Sequence, residues 1–273
     1  MHMIKTIISI TLCSLSISIG SYAQSQISEW RLVKIAQVYS HDNPNTSEYI
    51  YDDWGKLQTI NHYYNNNFGK KWDGSSVKDF VYNKAGYITS FTSYNTTGNL
   101  QYVIDYDSKN RLIKRQIYKM AGTAKTPAKK LTQLIKYSYK GNEIKESRVA
   151  PPSENVVDET IYTLDLKGNI IRMERKDMAT MKVEKYICGD FDNKPNPNLF
   201  TGAYFYTAIQ SKQNGKEGYW EGMAAPEKTE SIYDAQGMVK KTVIIEKAEN
   251  SMTTSEYIYT YDKVKVPLKV SVN

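Results

Sequence analysis

The sequence is poor in the residues that most often carry chemistry. Of its 273 residues, three are histidine and two are cysteine. His41 and His62 are the histidines beyond the N-terminal stretch. They lack metal-ligand spacing, and no Cys/His cluster is present to hold zinc. There is no Gly-x-Ser-x-Gly elbow and no glycine-rich loop followed by Lys-Ser or Lys-Thr. Familiar hydrolase and nucleotide chemistry is thereby disfavoured, and no cofactor or metal is called for. Cys13 sits in the N-terminal stretch, which leaves Cys188 alone in the rest of the chain. With no intramolecular disulfide available, the fold must stand on its core. Cys188 follows Tyr186-Ile187 and reads as a buried strand residue. Long apolar runs are also scarce. The run from Ile7 to Ile19 is diluted by serines and too short for a stable bilayer span. Apolar residues at 40% and charged residues at 24% argue against both a helical membrane protein and a wholly disordered chain.

What is present at the N-terminus is ordered like an export signal. Lys5 supplies the positive charge, the apolar run follows, Gly20 breaks it, and Ser21-Tyr22-Ala23 places small residues before a cut. Residues 1–23 are read as a signal peptide and 24–273 as a single β domain, with a bend near 150–155 compatible with Pro151-Pro152. Lipid attachment at Cys13 is disfavoured, because Leu12 stands where a small residue is usual. The expected location is periplasmic, cell-surface or extracellular. Removing Lys5 leaves 35 Lys and Arg against 29 acids, a charge of +6. Basic residues read as scattered, mostly beside acids, as at Lys129-Lys130 and Lys240-Lys241, which speaks for solubility and against nucleic acid, with weak attraction to an anionic surface or glycan as the minor alternative.

The strongest internal pattern is a short repeat: aromatic, any residue, Tyr, Asp or Asn, two residues, Gly, any residue, aliphatic. It occurs at Tyr49–Leu57, Phe80–Ile88, Ile104–Leu112, Tyr162–Ile170 and Ser231–Val239, with a shortened relative at Tyr137–Ile144 and a half copy at Tyr257–Asp262. The paired aromatic positions share one face of a strand. Asp or Asn opens a turn by accepting backbone N–H bonds, and Gly, or Asn110 in its place, takes positive φ at its end. Each unit is therefore a hairpin, with chain reversal at Asp52–Gly55, Asn83–Gly86, Asp107–Asn110, Asp165–Gly168 and Asp234–Gly237. Of the 23 tyrosines, most are expected to lie half-buried, stapling adjacent strands.

The Tyr-Asp-x-x-Gly-x-Leu unit resembles the YD repeat of RHS-type bacterial cell-surface proteins. The layout is similar to secreted or lipoprotein families of Bacteroidetes with degenerate YD-like repeats, and Tyr186–Pro197 resembles an insertion frequent in them. The resemblance runs from Tyr49 to Asp262. It implies a hairpin-built sheet and no particular activity. The few copies here do not wrap a toxin-sized shell, so that role is not carried over.

The fold class expected is all-β: an antiparallel meander of repeated YDxxG hairpins forming one large curved or rolled sheet, with a short helix/loop insertion near 189–226. Pro195-Asn196-Pro197 argues against a central strand there. Apolar residues at 200, 204, 205 and 208 fit a helical face within 198–211, and the glycine-rich stretch from Asn214 to Gly222 reads as flexible.

For function, the leading expectation is a non-enzymatic exported protein that binds a protein or glycan at the envelope. Its candidate contact residues are Trp54, Trp72, Tyr219 and Trp220. One alternative is a carboxylate-dependent glycan-processing enzyme, which needs two acids across a cleft. Asp105 and Asp107 sit close enough, but the turn role of Asp107, shared with Asp52, Asp165 and Asp234, is the better account. A further alternative is an envelope carrier of an apolar ligand. Asp190, Asp192 and Asn193 carry oxygens suited to calcium but read better as an Asx-rich turn. Strand order, sheet closure and oligomeric state are left open.

Overall fold

A computed structural model describes residues 26–39, 45–65, 71–123, 126–197, 211–223, 227–248 and 251–267. The export signal read over 1–23 lies outside them.

Among the described residues, sixteen antiparallel strands follow one another around a closed barrel. In chain order they are β1 (Gln26–Tyr39), β2 (Asn45–Tyr51), β3 (Leu57–Asn65), β4 (Lys71–Tyr82), β5 (Ile88–Asn95), β6 (Leu100–Tyr106), β7 (Leu112–Thr123), β8 (Thr126–Lys140), β9 (Glu143–Val149), β10 (Val156–Leu164), β11 (Ile170–Asp177), β12 (Val183–Pro195), β13 (Gln213–Trp220), β14 (Glu227–Tyr233), β15 (Val239–Ala248) and β16 (Ser251–Pro267). Closure is made by β1 against β16, in register from Gln26↔Pro267 to Tyr39↔Ser255 with one shift between Leu32 and Lys34.

This corrects the expected fold class. The meander does not end as one curved or rolled sheet, because its first and last strands pair and leave no edge. The expected insertion near 189–226 is corrected as well, for β12 and β13 occupy much of it as paired strands. The helical reading of 198–211 falls almost wholly outside the described residues. Gly218 serves close approach. A Cβ there would collide with the Tyr186 hydroxyl, so glycine lets that ring lie against β13.

The turns at one end of the barrel share one construction. Asp52 N–H donates to the Lys56 carbonyl at 2.8 Å, and Gly55 N–H to the Asp52 carbonyl at 3.0 Å. The Asp52 carboxylate accepts from the N–H groups of Trp54 and Lys56. Asp107, Asp165 and Asp234 do the same in their turns. The closing residue has positive φ: 68° at Gly55, 57° at Asn110 and 84° at Gly168. A register shift beside each turn places the preceding Tyr or Leu opposite the first residue of the return strand. We call this the aspartate end.

Toward that end neighbouring hairpins splay, and tyrosines close the gaps from within. The β1–β2 ladder stops at Lys34↔Glu48, and the Tyr51 hydroxyl donates to the Leu32 carbonyl at 2.8 Å. The β3–β4 ladder stops at Ile60↔Val77, and Tyr82 donates to Leu57 at 2.6 Å. Tyr106 reaches Ile88 at 2.9 Å and Tyr139 reaches Leu112 at 2.8 Å in the same manner. Burial holds these phenols protonated, pushing Tyr106 up to about 12.

The interior is not uniform. From β3 to β6 it is an apolar core of Leu57, Ile60, Val77, Ile88, Phe91 and Ile104, each 1–3% exposed, with Phe91 and Tyr102 stacked at 4.4 Å. From β9 to β11 it holds charge: Glu146 and Asp158 are buried, and Arg148 reaches Asp158 at 3.1 Å. From β12 to β16 it opens into a cavity.

Candidate functional site

The cavity follows from where register puts small polar residues. Tyr186 and Cys188 on β12 share the inward face with Gly218 on β13 and Glu227 on β14, through the pairs Cys188↔Gly218 and Gly218↔Glu227. Thr229 and Ser231 continue that face along β14, with Thr242 on β15 and Tyr259 on β16 completing the wall. Tyrosines or aliphatics fill the core of the early hairpins, whereas this stretch presents hydroxyls. The space enclosed is about 320 Å³, at the small end of ligand-sized cavities.

Among the described residues no lysine or arginine lines this space, while Asn196, Ser211, Gln213 and Asn214 add neutral donors and acceptors near the aspartate end. Phe191 and Tyr186 offer ring surface. Glu227 is the one carboxylate pointing inward among the described lining residues. Glu217 pairs with Gly189 and Lys228, on the face opposite Cys188 and Gly218, and turns outward. Burial, with Glu246 nearby, raises the Glu227 carboxyl above its ordinary range. Burial, with Glu227 adding to it, pushes the Cys188 thiol up to about 11. Cys188 in residues 24–273 is therefore expected to react with a disulfide reagent at pH 8 at least tenfold more slowly in the native protein than in the unfolded chain, since the thiolate is the nucleophile. Equal rates would mean an open, solvated thiol.

A polar clasp fixes the mouth. Asn169, fully buried, donates to Asp165 and to Gln213, both at 2.9 Å, and accepts from the Gln213 N–H at 2.9 Å. The Ser211 hydroxyl accepts from the Ile170 N–H at 2.9 Å. Asn214 donates to the Asp192 carboxylate and lies 3.4 Å from the Tyr233 hydroxyl. Sequence reasoning missed this clasp. Its signal was Asn169 itself, an amide where the other turns carry Lys56, Tyr87, Arg111 and Met238.

The oxygens considered for calcium are engaged by protein donors: Asp190 by Lys216, Asp192 by the Lys194 N–H and Asn214, Asn193 by Lys167. Among the described residues no group of three or more His, Cys, Asp or Glu is placed to hold a metal. Ser47 and His62 meet at 2.8 Å on the inner wall, and burial lowers the His62 pKa. His41 lies outside the described residues. Asp105 is ion-paired with Lys114 on the outer wall, while Asp107 serves its turn.

The structure does not bring the candidate contact residues together. Trp54, 42% exposed, stands in the first turn at the aspartate end. Tyr219 and Trp220 are at the far end of β13, where Trp220 tilts against Tyr186 at 5.1 Å. Trp72 is in β4, opposite Tyr64, and its side chain lies outside the described set.

The outer wall carries rows of charged and polar residues, with Ile50, Val81, Ile232 and Ile258 exposed among them. One row climbs from the aspartate end to the far end through Asp105, Lys114, Lys136, Ser147, Glu159 and Lys176 on six successive strands. Another crosses Lys34, Glu48, Asn61 and Ser76. A lipid-facing barrel instead carries an apolar band there. No helix among the described residues is long and apolar enough to cross a membrane.

No family model matches the sequence, and no curated protein does. Solved structures similar to it include a porin-like protein from Bacteroides uniformis, at 11% identity and a TM-score of 0.44 over 85% of this chain and 98% of the other. A porin-like protein from Bacteroides vulgatus matches at 11% identity and a TM-score of 0.49, over 86% of this chain and 99% of that one.

Proposed function

We propose that residues 1–23 direct export and that residues 24–273 form a single non-enzymatic barrel domain. It works in water at the cell envelope and binds a neutral, hydroxyl-rich ligand such as a glycan segment. The observation that carries this reading is the cavity between β12 and β16, with side-chain hydroxyls and amides, ring surface and no cation among its described lining residues. Such a lining suits a sugar, whose hydroxyls need paired donors and acceptors and whose faces stack on aromatic rings. An anionic ligand would find no countercharge, and a wholly apolar one would strand the polar wall. A retaining or inverting glycosidase needs two carboxyls facing each other across a cleft; of the described lining carboxyls Glu227 points inward and Glu217 does not, and Glu246 lies beside Glu227 on the adjacent strand rather than across the cavity. The charged outer rows support a wall that faces water.

The test is titration of residues 24–273 with a panel of neutral oligosaccharides. At least one is expected to bind. Thr229→Trp, which fills the cavity, is expected to weaken it at least tenfold, about 1.4 kcal/mol. Alanine at Trp54, Trp72, Tyr219 or Trp220 is the competing arm. Loss there with full binding by Thr229→Trp would move the contact to the barrel surface, and no binding by any sugar would end the glycan reading.

A further inference from the structure

The positive charge of this protein is not spread along it. Ten of the 36 Lys and Arg residues fall between 108 and 142, a stretch with no Asp or Glu; the remaining 26 face 29 acids. The reading of basic residues as scattered is therefore corrected: the excess belongs to β7 and β8. Some of it is spent locally, Lys114 on Asp105 and Arg111 on Asp107. Of the rest, Lys119, Lys129 and Lys130 cluster on a projecting arm.

The arm is built by register. The β6–β7 ladder ends at Leu100↔Lys119 and the β8–β9 ladder at Leu134↔Val149, yet β7 and β8 stay paired on to Thr123↔Thr126. β7 keeps its neighbour as far as Met120, whose N–H donates to the Asn99 carbonyl at 2.9 Å, and from there the pair runs on as a two-stranded ribbon at the end opposite the aspartate turns, with the lysines at its base. Lys119 and Lys130 are cross-strand partners on one face, and Lys129 is on the other, over the Tyr118 ring at 4.8 Å. Like charges paired across a strand are unfavourable, so this pairing suits an external anion. Small residues, Ala121 and Ala128, sit between the lysines and the tip.

The same end carries exposed apolar side chains on β10 to β13 and their connections: Val157, Met181, Val183, Tyr219 and Met223, the most open being Met181 at 59%. A soluble polyanion would use the lysines and leave this rim unexplained. A bilayer surface uses both, since headgroups take the ammonium groups and the interfacial zone takes valine, methionine and tyrosine. We propose that this end of the barrel docks peripherally on an anionic lipid surface, with the β7–β8 arm as its electrostatic foot and the β10–β13 rim as its apolar contact. The proposal is independent of the cavity ligand and requires no spanning segment.

Vesicle co-sedimentation of residues 24–273 tests it, with phosphatidylcholine alone and with phosphatidylcholine containing phosphatidylglycerol. Binding is expected to the anionic vesicles only and to fall with salt. Lys119→Gln/Lys129→Gln/Lys130→Gln is expected to weaken it on the order of 100-fold. Lys84→Gln/Lys109→Gln/Lys140→Gln removes the same charge at the aspartate end and is expected to change it less than about threefold. Met181→Asp/Met223→Asp, which leaves the arm intact, is expected to cost about tenfold and serves as the readout if the arm variant does not fold. Absence of binding to anionic vesicles overturns the proposal, as do equal losses from the two lysine triples. Retention on heparin without vesicle binding also overturns it and reassigns the arm to a soluble polyanion.

Discussion

Replacing Tyr51, Tyr82, Tyr106 and Tyr139 together by phenylalanine is expected to destabilise the barrel by about 4 kcal/mol, roughly 1 for each lost hydroxyl. The rings remain, so apolar burial changes little. What is lost is the donor to the carbonyls of Leu32, Leu57, Ile88 and Leu112, each just past the point where a ladder stops. A part-buried carbonyl without a partner keeps its desolvation cost. In a domain of this size the change corresponds to a fall in Tm of about 10 °C, measurable by calorimetry beside the four single variants. A quadruple variant within about 1 kcal/mol of the parent would mean that water satisfies these carbonyls and that the tyrosines serve only as bulk.

Asn169→Ala is the second large effect, expected at about 3 kcal/mol. The side chain is fully buried, and its removal strips partners from Asp165 Oδ2, Gln213 Oε1 and the Gln213 N–H at once. Arg111 holds the equivalent place in the third turn and is exposed. Its replacement by alanine is expected to cost about 0.5 kcal/mol, the scale of a surface ion pair. Hydrogen exchange at the Gln213 amide gives the local readout. Faster exchange in Asn169→Ala, with the β3–β6 core unchanged, would localise the damage to the cavity mouth. An unchanged rate would show that the clasp is redundant.

These two cases also mark what the sequence makes legible. The turn at Asp52–Gly55 can be read from four residues, because a carboxylate accepting nearby N–H groups and a glycine at positive φ are local physics. The Tyr51 ring is legible as inward-facing by strand alternation. Its carbonyl partner on β1 is not, because that depends on where a ladder stops. Closure is less visible still. Gln26 meets Pro267 across nearly the whole chain, and nothing near either residue announces the other. The stretch around Gly215 and Gly218 misleads for a related reason. Glycine there reads as flexibility, whereas it clears space for the Tyr186 ring on a neighbouring strand. The cavity eluded sequence reasoning because Thr229, Ser231 and Thr242 are ordinary strand residues until register turns them inward. The exposed Trp54 was legible, since a ring inside a tight turn has no interior to enter.

The pairing of β1 with β16 also dictates the order of events in biogenesis. β1 waits for β16, so until β16 is made two raw borders stand open to pairing with any passing strand. The entropic cost of joining ends so far apart falls late, and topology of this kind slows maturation. Such a chain gains from delaying closure until β16 is made, and that seventeen-residue strand acts as the latch.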